Sequence, residues 1–256
     1  MPGSWQATPI VVDGNNNDWP SPYPNYDSKA KIAYATSNDL HYLYITMQTG
    51  DELTALKMLK NGMTVSIDTT GKKNTEPFNI SFPLATDNSE LELSITPDGQ
   101  KEKAMMLEKQ LFSRIRKAME TSNQMTLAGF PGCNGGYMST QVLPCGIKVK
   151  LRFNEYKELI WEAAIPMTLL YGKDLTPADA GKPISVCYAI KAAKAPKNRA
   201  VENANGGFNQ TPGGGGRNGA MSGGMPQGGR GKVEDPLEHL YTPTKTWKQF
   251  SLVVQP

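Results

Sequence analysis

The sequence predicts an all-β protein: an antiparallel β-sandwich with one covering α-helix and a long Gly-rich loop. Three observations lead there. Apolar and polar residues alternate with period two in a series of segments of five to nine residues. Asn, Asp, Gly and Pro break these segments apart, as turns between antiparallel strands require. Apolar residues make up 38% of the 256, and 25 glycines bring the share close to the globular norm, so a core is available and a wholly disordered chain is excluded.

In chain order, Lys29 to Tyr34 places Ala30, Ile32 and Tyr34 on one parity. From Leu40 to Met47, Leu43, Ile45 and Met47 alternate with Tyr42, Tyr44 and Thr46, and the turn cluster Ser37-Asn38-Asp39 joins the two segments as a hairpin. Met63 to Asp68, Phe78 to Phe82 and Leu91 to Ile95 repeat the pattern. Ile147 to Phe153 has the strictest alternation, with Lys148, Lys150 and Arg152 on a face expected to be wet. Leu159 to Ile165 follows after the short loop Asn154-Glu155-Tyr156-Lys157, and Ile184 to Ile190 and Phe250 to Val254 complete the set.

Two stretches read as helix. Asp51 to Lys60 spaces Leu53, Leu56 and Leu59 by three, with Gly62 as a stop. Across 101–120, Ala104, Leu107, Leu111, Ile115 and Ala118 form an apolar stripe widened by Met105, Phe112 and Met119, so a helical insertion should cover part of the sandwich. Between 206 and 231, glycine occupies 12 of 26 positions, too little side chain to offset backbone entropy, and a flexible loop is expected before a final strand near Trp247 to Val254. We read 1–256 as a single sandwich domain containing both features.

The net charge of +3 is too small to imply nucleic acid or an anionic membrane, and the two arginines of the Gly-rich segment, Arg217 and Arg230, neutralise at most a couple of phosphates. No apolar run approaches the roughly 20 residues of a membrane span. A nucleophile elbow, a P-loop, a dinucleotide fingerprint and a His-Glu-x-x-His helix are all missing from the sequence. The two histidines, His41 and His239, read as solvated or packed side chains, and Glu158 and Glu162 as residues of a solvated strand face. The reading is therefore non-enzymatic, with no resident cofactor.

Cys133 and Cys145 bracket Asn134-Gly135-Gly136, which is flexible enough to let the sulfurs meet; the alternatives are a disulfide or two free thiols in a reducing compartment. Cys187 reads as a small buried hydrophobe. Asp13, Asn15, Asn17 and Asp18 alternate carboxylate and amide oxygens as a calcium loop would, but Pro24 stands where an EF-hand closes with Glu; the alternative is a turn whose side chains cap its own backbone.

Several motifs, taken in order, resemble the family 9 carbohydrate-binding module and related DOMON-like β-sandwiches. They are Ile10-Val11-Val12-Asp13-Gly14 with Asp18-Trp19, Ala33-Tyr34 with Asp39 to Ile45, Val65 to Asp68, Trp161 to Pro166, and Trp247 to Leu252. The similarity spans most of the chain; 101–120 and the Gly-rich segment have no counterpart in it. It implies a jelly-roll-like sandwich that binds sugar ends between aromatic rings, with structural calcium in some members, in an exported protein, periplasmic or at the cell surface. A disulfide between Cys133 and Cys145 fits that setting, in which the signal segment would precede this sequence. Rival readings are a structural or interaction module of the cell envelope that keeps the sandwich without a sugar site, and a haem-binding electron carrier of the DOMON kind, whose axial ligands have no assigned position here.

Sugar rings stack their C–H faces on exposed aromatics while polar side chains meet the hydroxyls. Trp161 shares parity with Leu159, Ala163 and Ile165 and belongs to the core, and Trp19 belongs to a packed turn. The candidate carbohydrate-binding residues are Tyr23 and Tyr26 in a Pro-restrained loop, Tyr137 in the Gly-rich hairpin, and Trp247 with Gln249 on the parity opposite Phe250.

Overall fold

A computed structural model of the chain describes residues 3–74, 77–85, 110–111, 113–115, 117–194 and 238–255. The predicted strand at 91–95, the first part of the 101–120 helix and the Gly-rich loop at 206–231 lie outside the described residues.

Among the described residues, two six-stranded sheets face each other. The first holds β1 (Ser4–Trp5), β3 (Ile32–Asn38), β4 (Tyr42–Thr49), β10 (Leu159–Pro166) and β9 (Lys148–Phe153) in that spatial order, with β2 (Asn25–Asp27) also paired to β3. The second runs β12 (Thr244–Ser251), β11 (Pro183–Ile190), β5 (Met63–Asp68), β6 (Phe78–Ser81), β7 (Gln124–Ala128) and β8 (Gly135–Met138). Every pairing is antiparallel except the two-residue contact of β1 with β3. The fold is thus the expected β-sandwich. Strands β1, β2, β7 and β8 lie outside the segments that the sequence predicts as strands: β1 and β2 are only two and three residues long, and the glycines of β8 carry no strand signal, so pairing to a neighbour decides their conformation.

One core fills the space between the sheets. Leu43, Ile45, Met47, Leu159, Trp161, Ala163 and Ile165 meet Val65, Ile67, Ile80, Ile184, Val186, Tyr188 and Phe250 there. Two side-chain contacts cross the sandwich. The Trp161 indole Nε1 donates to the Phe82 carbonyl at 3.0 Å, and the Tyr34 and Tyr188 rings lie 5.0 Å apart.

Helix α1 (Glu52–Asn61) starts where Asp51 accepts from the Thr54 backbone N–H at 2.8 Å and stops at Gly62, whose φ of 81° suits glycine. The described residues of 110–121 form helix α2, and its Leu111, Ile115 and Ala118 are buried in the core. Short helices α3 (Met167–Tyr171) and α4 (Glu238–Tyr241) close other corners.

The outer face of the first sheet is where the structure departs from a simple two-layer reading. Segment 10–24 crosses that face, and Ile10 and Trp19 build a second apolar cluster there with Ala35, Tyr44 and Ala164. Strand β10 is consequently buried on both faces. Glu162, expected on a solvated face, is fully buried.

Candidate functional site

Within segment 10–24, Gly14 and Trp19 are both held by one buried carboxylate. Glu162 accepts from the Gly14 backbone N–H through Oε2 at 2.8 Å and from the Trp19 indole through Oε1 at 2.8 Å. Burial raises the Glu162 carboxyl to about 7, against the lowering effect of those two donors, with Asp13 adding repulsion. Gly14 has φ of 84°, and a Cβ there would lie 2.5 Å from Arg152 Cβ, so the segment approaches β9 as only glycine permits.

The segment roofs part of the sheet, and two neighbouring hollows lie along its margin as an interrupted groove. One half, about 670 Å³, is bounded by Asn15, Asn16, Asn17, Trp19, Arg152 and Tyr156. The other, about 510 Å³, is bounded by Tyr26, Ala33, Gln48, Gly50 and Glu158. Two hydrogen bonds run from the lining of one half to that of the other: Asn16 Nδ2 donates to Gln48 Oε1 at 3.0 Å, and Asn154 Nδ2 donates to Glu158 Oε2 at 2.8 Å. An exposed ring stands in each half, Tyr26 at 66% exposure and Tyr156 at 74%.

Local sequence explains how Tyr156 is displayed. The β9–β10 loop folds around Asn154, whose Oδ1 accepts from the backbone N–H groups of Tyr156 (3.0 Å) and Glu158 (2.9 Å), with Lys157 at φ of 62° completing the turn. The ring at the tip has no core to enter. Tyr26 sits on β2 opposite Ala33, with Gln48 the next partner across the sheet, so all three share the outer face.

The candidate residues read from the sequence do not gather in one place. Of the five aromatic-site residues, Tyr26 alone lines this groove. Tyr23 is half buried against the second cluster with its hydroxyl 3.1 Å from Thr46 Oγ1, and burial pushes its phenol up to about 12. Tyr137 pairs with Met125 on β7, so it takes the inward parity and packs against the core. Trp247 pairs with Cys187 on the outer face of the second sheet, away from Tyr26; Lys245 Nζ lies 5.6 Å above its ring, and Gln249 is exposed two residues along.

The Asp13 and Asp18 carboxylates accept hydrogen bonds from within their own segment. Asp13 Oδ1 accepts from the Asn15 N–H at 2.7 Å, Asp13 Oδ2 from Asn15 Nδ2 at 3.3 Å, and Asp18 Oδ2 from the Val11 N–H at 2.9 Å. Asn15 and Asn17 line the groove instead. Among the described residues, no group of three or more His, Cys, Asp and Glu side chains is placed to hold a metal. Cys133 and Cys145 are joined in a disulfide, with Cα atoms 5.8 Å apart, and Cys187 is a buried free thiol. His41 Nδ1 lies 3.0 Å from an Asp174 carboxylate oxygen at the surface, and His239 Nε2 is 2.7 Å from Thr54 Oγ1.

The sequence reading missed Gln48, Arg152, Asn154, Glu158 and Tyr156 as groove residues. Tyr156 had a signal, being an aromatic residue inside the short loop between two strands.

No protein-family model matches the chain, and no curated protein matches it. Among solved structures, a family 9 carbohydrate-binding module from Caldicellulosiruptor kristjanssonii in complex with glucose is similar over 76% of this chain and 79% of that one, at 9% identity and a TM-score of 0.32. Similarity at that level says nothing about what this chain binds.

Proposed function

We propose that this protein is a non-catalytic carbohydrate-binding module whose site is the groove between Tyr26 and Tyr156. The observation that carries the reading is the presence of these two exposed rings beside side-chain amides, those of Asn15, Asn16, Asn17 and Gln48. Rings offer faces to sugar C–H groups; amides both donate and accept, as sugar hydroxyls do. The carboxyl whose proton affinity is raised towards neutrality, Glu162, lies sealed beneath Trp19 and Gly14, out of reach of a molecule in the groove, which supports binding over catalysis. An exported setting belongs to the same reading and is supported by the Cys133–Cys145 bond. Among the described residues, no helix is long and apolar enough to cross a membrane.

Affinity electrophoresis through polysaccharide gels and a glycan array test the reading. Retention should fall at least tenfold for Tyr26→Ala and for Tyr156→Ala, a loss of about 1.4 kcal/mol or more, and stay unchanged for Trp247→Ala and Tyr137→Ala. Absence of retention on every glycan, or loss through Trp247→Ala with Tyr26→Ala intact, overturns it; the former outcome favours a cell-envelope interaction module.

A further inference from the structure

Beside the groove lies a second space of different chemistry. A cavity of about 320 Å³ opens between α1, α2 and the end of β9, with Ala55, Ile115, Met119 and Phe153 forming its mainly apolar wall. It adjoins both halves of the groove. Thr49, Gly50 and Asp51 border the cavity and the Tyr26 half alike, and Phe153 and Asn154 border the cavity and the Tyr156 half. Gly50 lies between the two spaces and has no side chain of its own, and the Glu158 side chain stands 3.8 Å from where a Gly50 Cβ would be.

We propose that the ligand of the groove is a glycoside with an apolar aglycone, its sugar lying between Tyr26 and Tyr156 and its alkyl or aryl group in the cavity. This rests on the carbohydrate reading above and adds the second half of the ligand. The volume is at the low end for small-molecule sites, suited to one apolar substituent and too small for a docked helix. An apolar wall rewards removal of such a group from water, an effect that grows with each methylene buried. The border of the cavity carries three carboxylates, Asp51, Glu52 and Glu120, against one ammonium, Lys157. Asp51 is held at 2.8 Å by Lys31, and Glu52, Glu120 and Lys157 have partners of their own. With Lys31 included, three carboxylates stand with two ammonium groups, so the rim offers no net positive charge to hold a carboxylate head such as that of a fatty acid, and an uncharged sugar head is not repelled there. The ligand class is therefore neutral at its head.

The test uses the full chain and isothermal titration with methyl and octyl β-glycosides of glucose, galactose, mannose and xylose, below the micelle concentration, with 1-octanol and octanoate as companions. For any sugar that binds, the octyl glycoside should bind at least tenfold tighter than the methyl glycoside, and both octanol and octanoate should bind more weakly than it. Ala55→Leu, which fills the cavity, should erase that gain and leave the methyl glycoside affinity alone; Met119→Trp serves the same purpose if the first variant melts early. Equal affinities of methyl and octyl glycosides overturn the aglycone site while leaving the sugar reading intact. Octyl binding that survives Tyr26→Ala, with no methyl glycoside bound at all, overturns both. Octanol binding as tightly as the octyl glycoside overturns the proposal that one ligand spans the two spaces.

Discussion

Glu162 and Trp19, 143 residues apart in the chain, meet through a 2.8 Å hydrogen bond from the indole N–H to the carboxylate, and that bond holds the segment bearing Asn15, Asn16 and Asn17 against the sheet. The same carboxylate accepts from Gly14. It is the anchor of a roof whose outer edge forms part of the groove.

The anchor makes stability depend on pH. Because burial raises the Glu162 carboxyl from 4.5 to about 7, the folded state holds the proton more tightly than the unfolded chain does. The resulting stabilisation is complete below pH 4.5 and is lost as pH rises through 7, by about 3 kcal/mol at most. Glu162→Gln cannot titrate, so the difference in unfolding free energy between the native protein and the variant should shrink from pH 4.5 to pH 8. Urea denaturation at both pH values measures it; a constant difference refutes the coupling.

Lys57 predicts a slope of the opposite sign at higher pH. Its side chain is fully buried on α1, and Nζ donates to the carbonyls of His239 at 3.1 Å and Thr242 at 2.7 Å. Burial lowers the ammonium from 10.5 to about 8, opposed by Asp51. Between these values the unfolded chain binds more protons than the folded one, so this group adds stability as pH rises from 8 to 10.5, by about 3 kcal/mol at most. Lys57→Met should lack that contribution. Comparing the two proteins at pH 8 and pH 10 cancels the tyrosines, and parallel curves would disprove the assignment.

Asn154 links loop geometry to binding. Asn154→Ala removes the acceptor for two backbone N–H groups and the amide contact to Glu158, at a cost of about 1–2 kcal/mol on an exposed turn. It should also weaken glycan retention, because Tyr156 loses its fixed display. Retention unchanged in a protein with a shifted urea midpoint would separate the turn from the site.

The disulfide closes a loop with a sequence separation of 12 that contains all of β8. The chain-entropy relation gives about 3 kcal/mol for such a closure. Replacing Cys133 and Cys145 together by Ala should lower the melting temperature by roughly 6–12 °C. A change of less than 2 °C would show that the pairing of β7 with β8 does not need the link.

Much of the sandwich was legible in local pattern. Leu43, Ile45 and Met47, and likewise Leu159, Trp161, Ala163 and Ile165, announce their inward faces by parity, and these residues are in the core. The site was far less legible. Tyr137 and Tyr26 look alike as loop aromatics, yet one pairs inward against Met125 and the other outward against Ala33. Glu162 sits in a strand whose other parity is plainly apolar, so a wet face was the natural expectation, and only a roof arriving from residues 10–24 reverses it.

What the amino-acid order settled unaided was eight of the twelve described strands, β3 to β6 and β9 to β12, and the inner face of most of them, because the pleat alternates side chains every residue and that alternation is written locally. Which outer face is covered, which rings stay in water, and where groove and cavity adjoin were decided by tertiary structure alone. Those outcomes depend on contacts such as Trp19 with Glu162 and Asn16 with Gln48, between segments that no short window of sequence brings together.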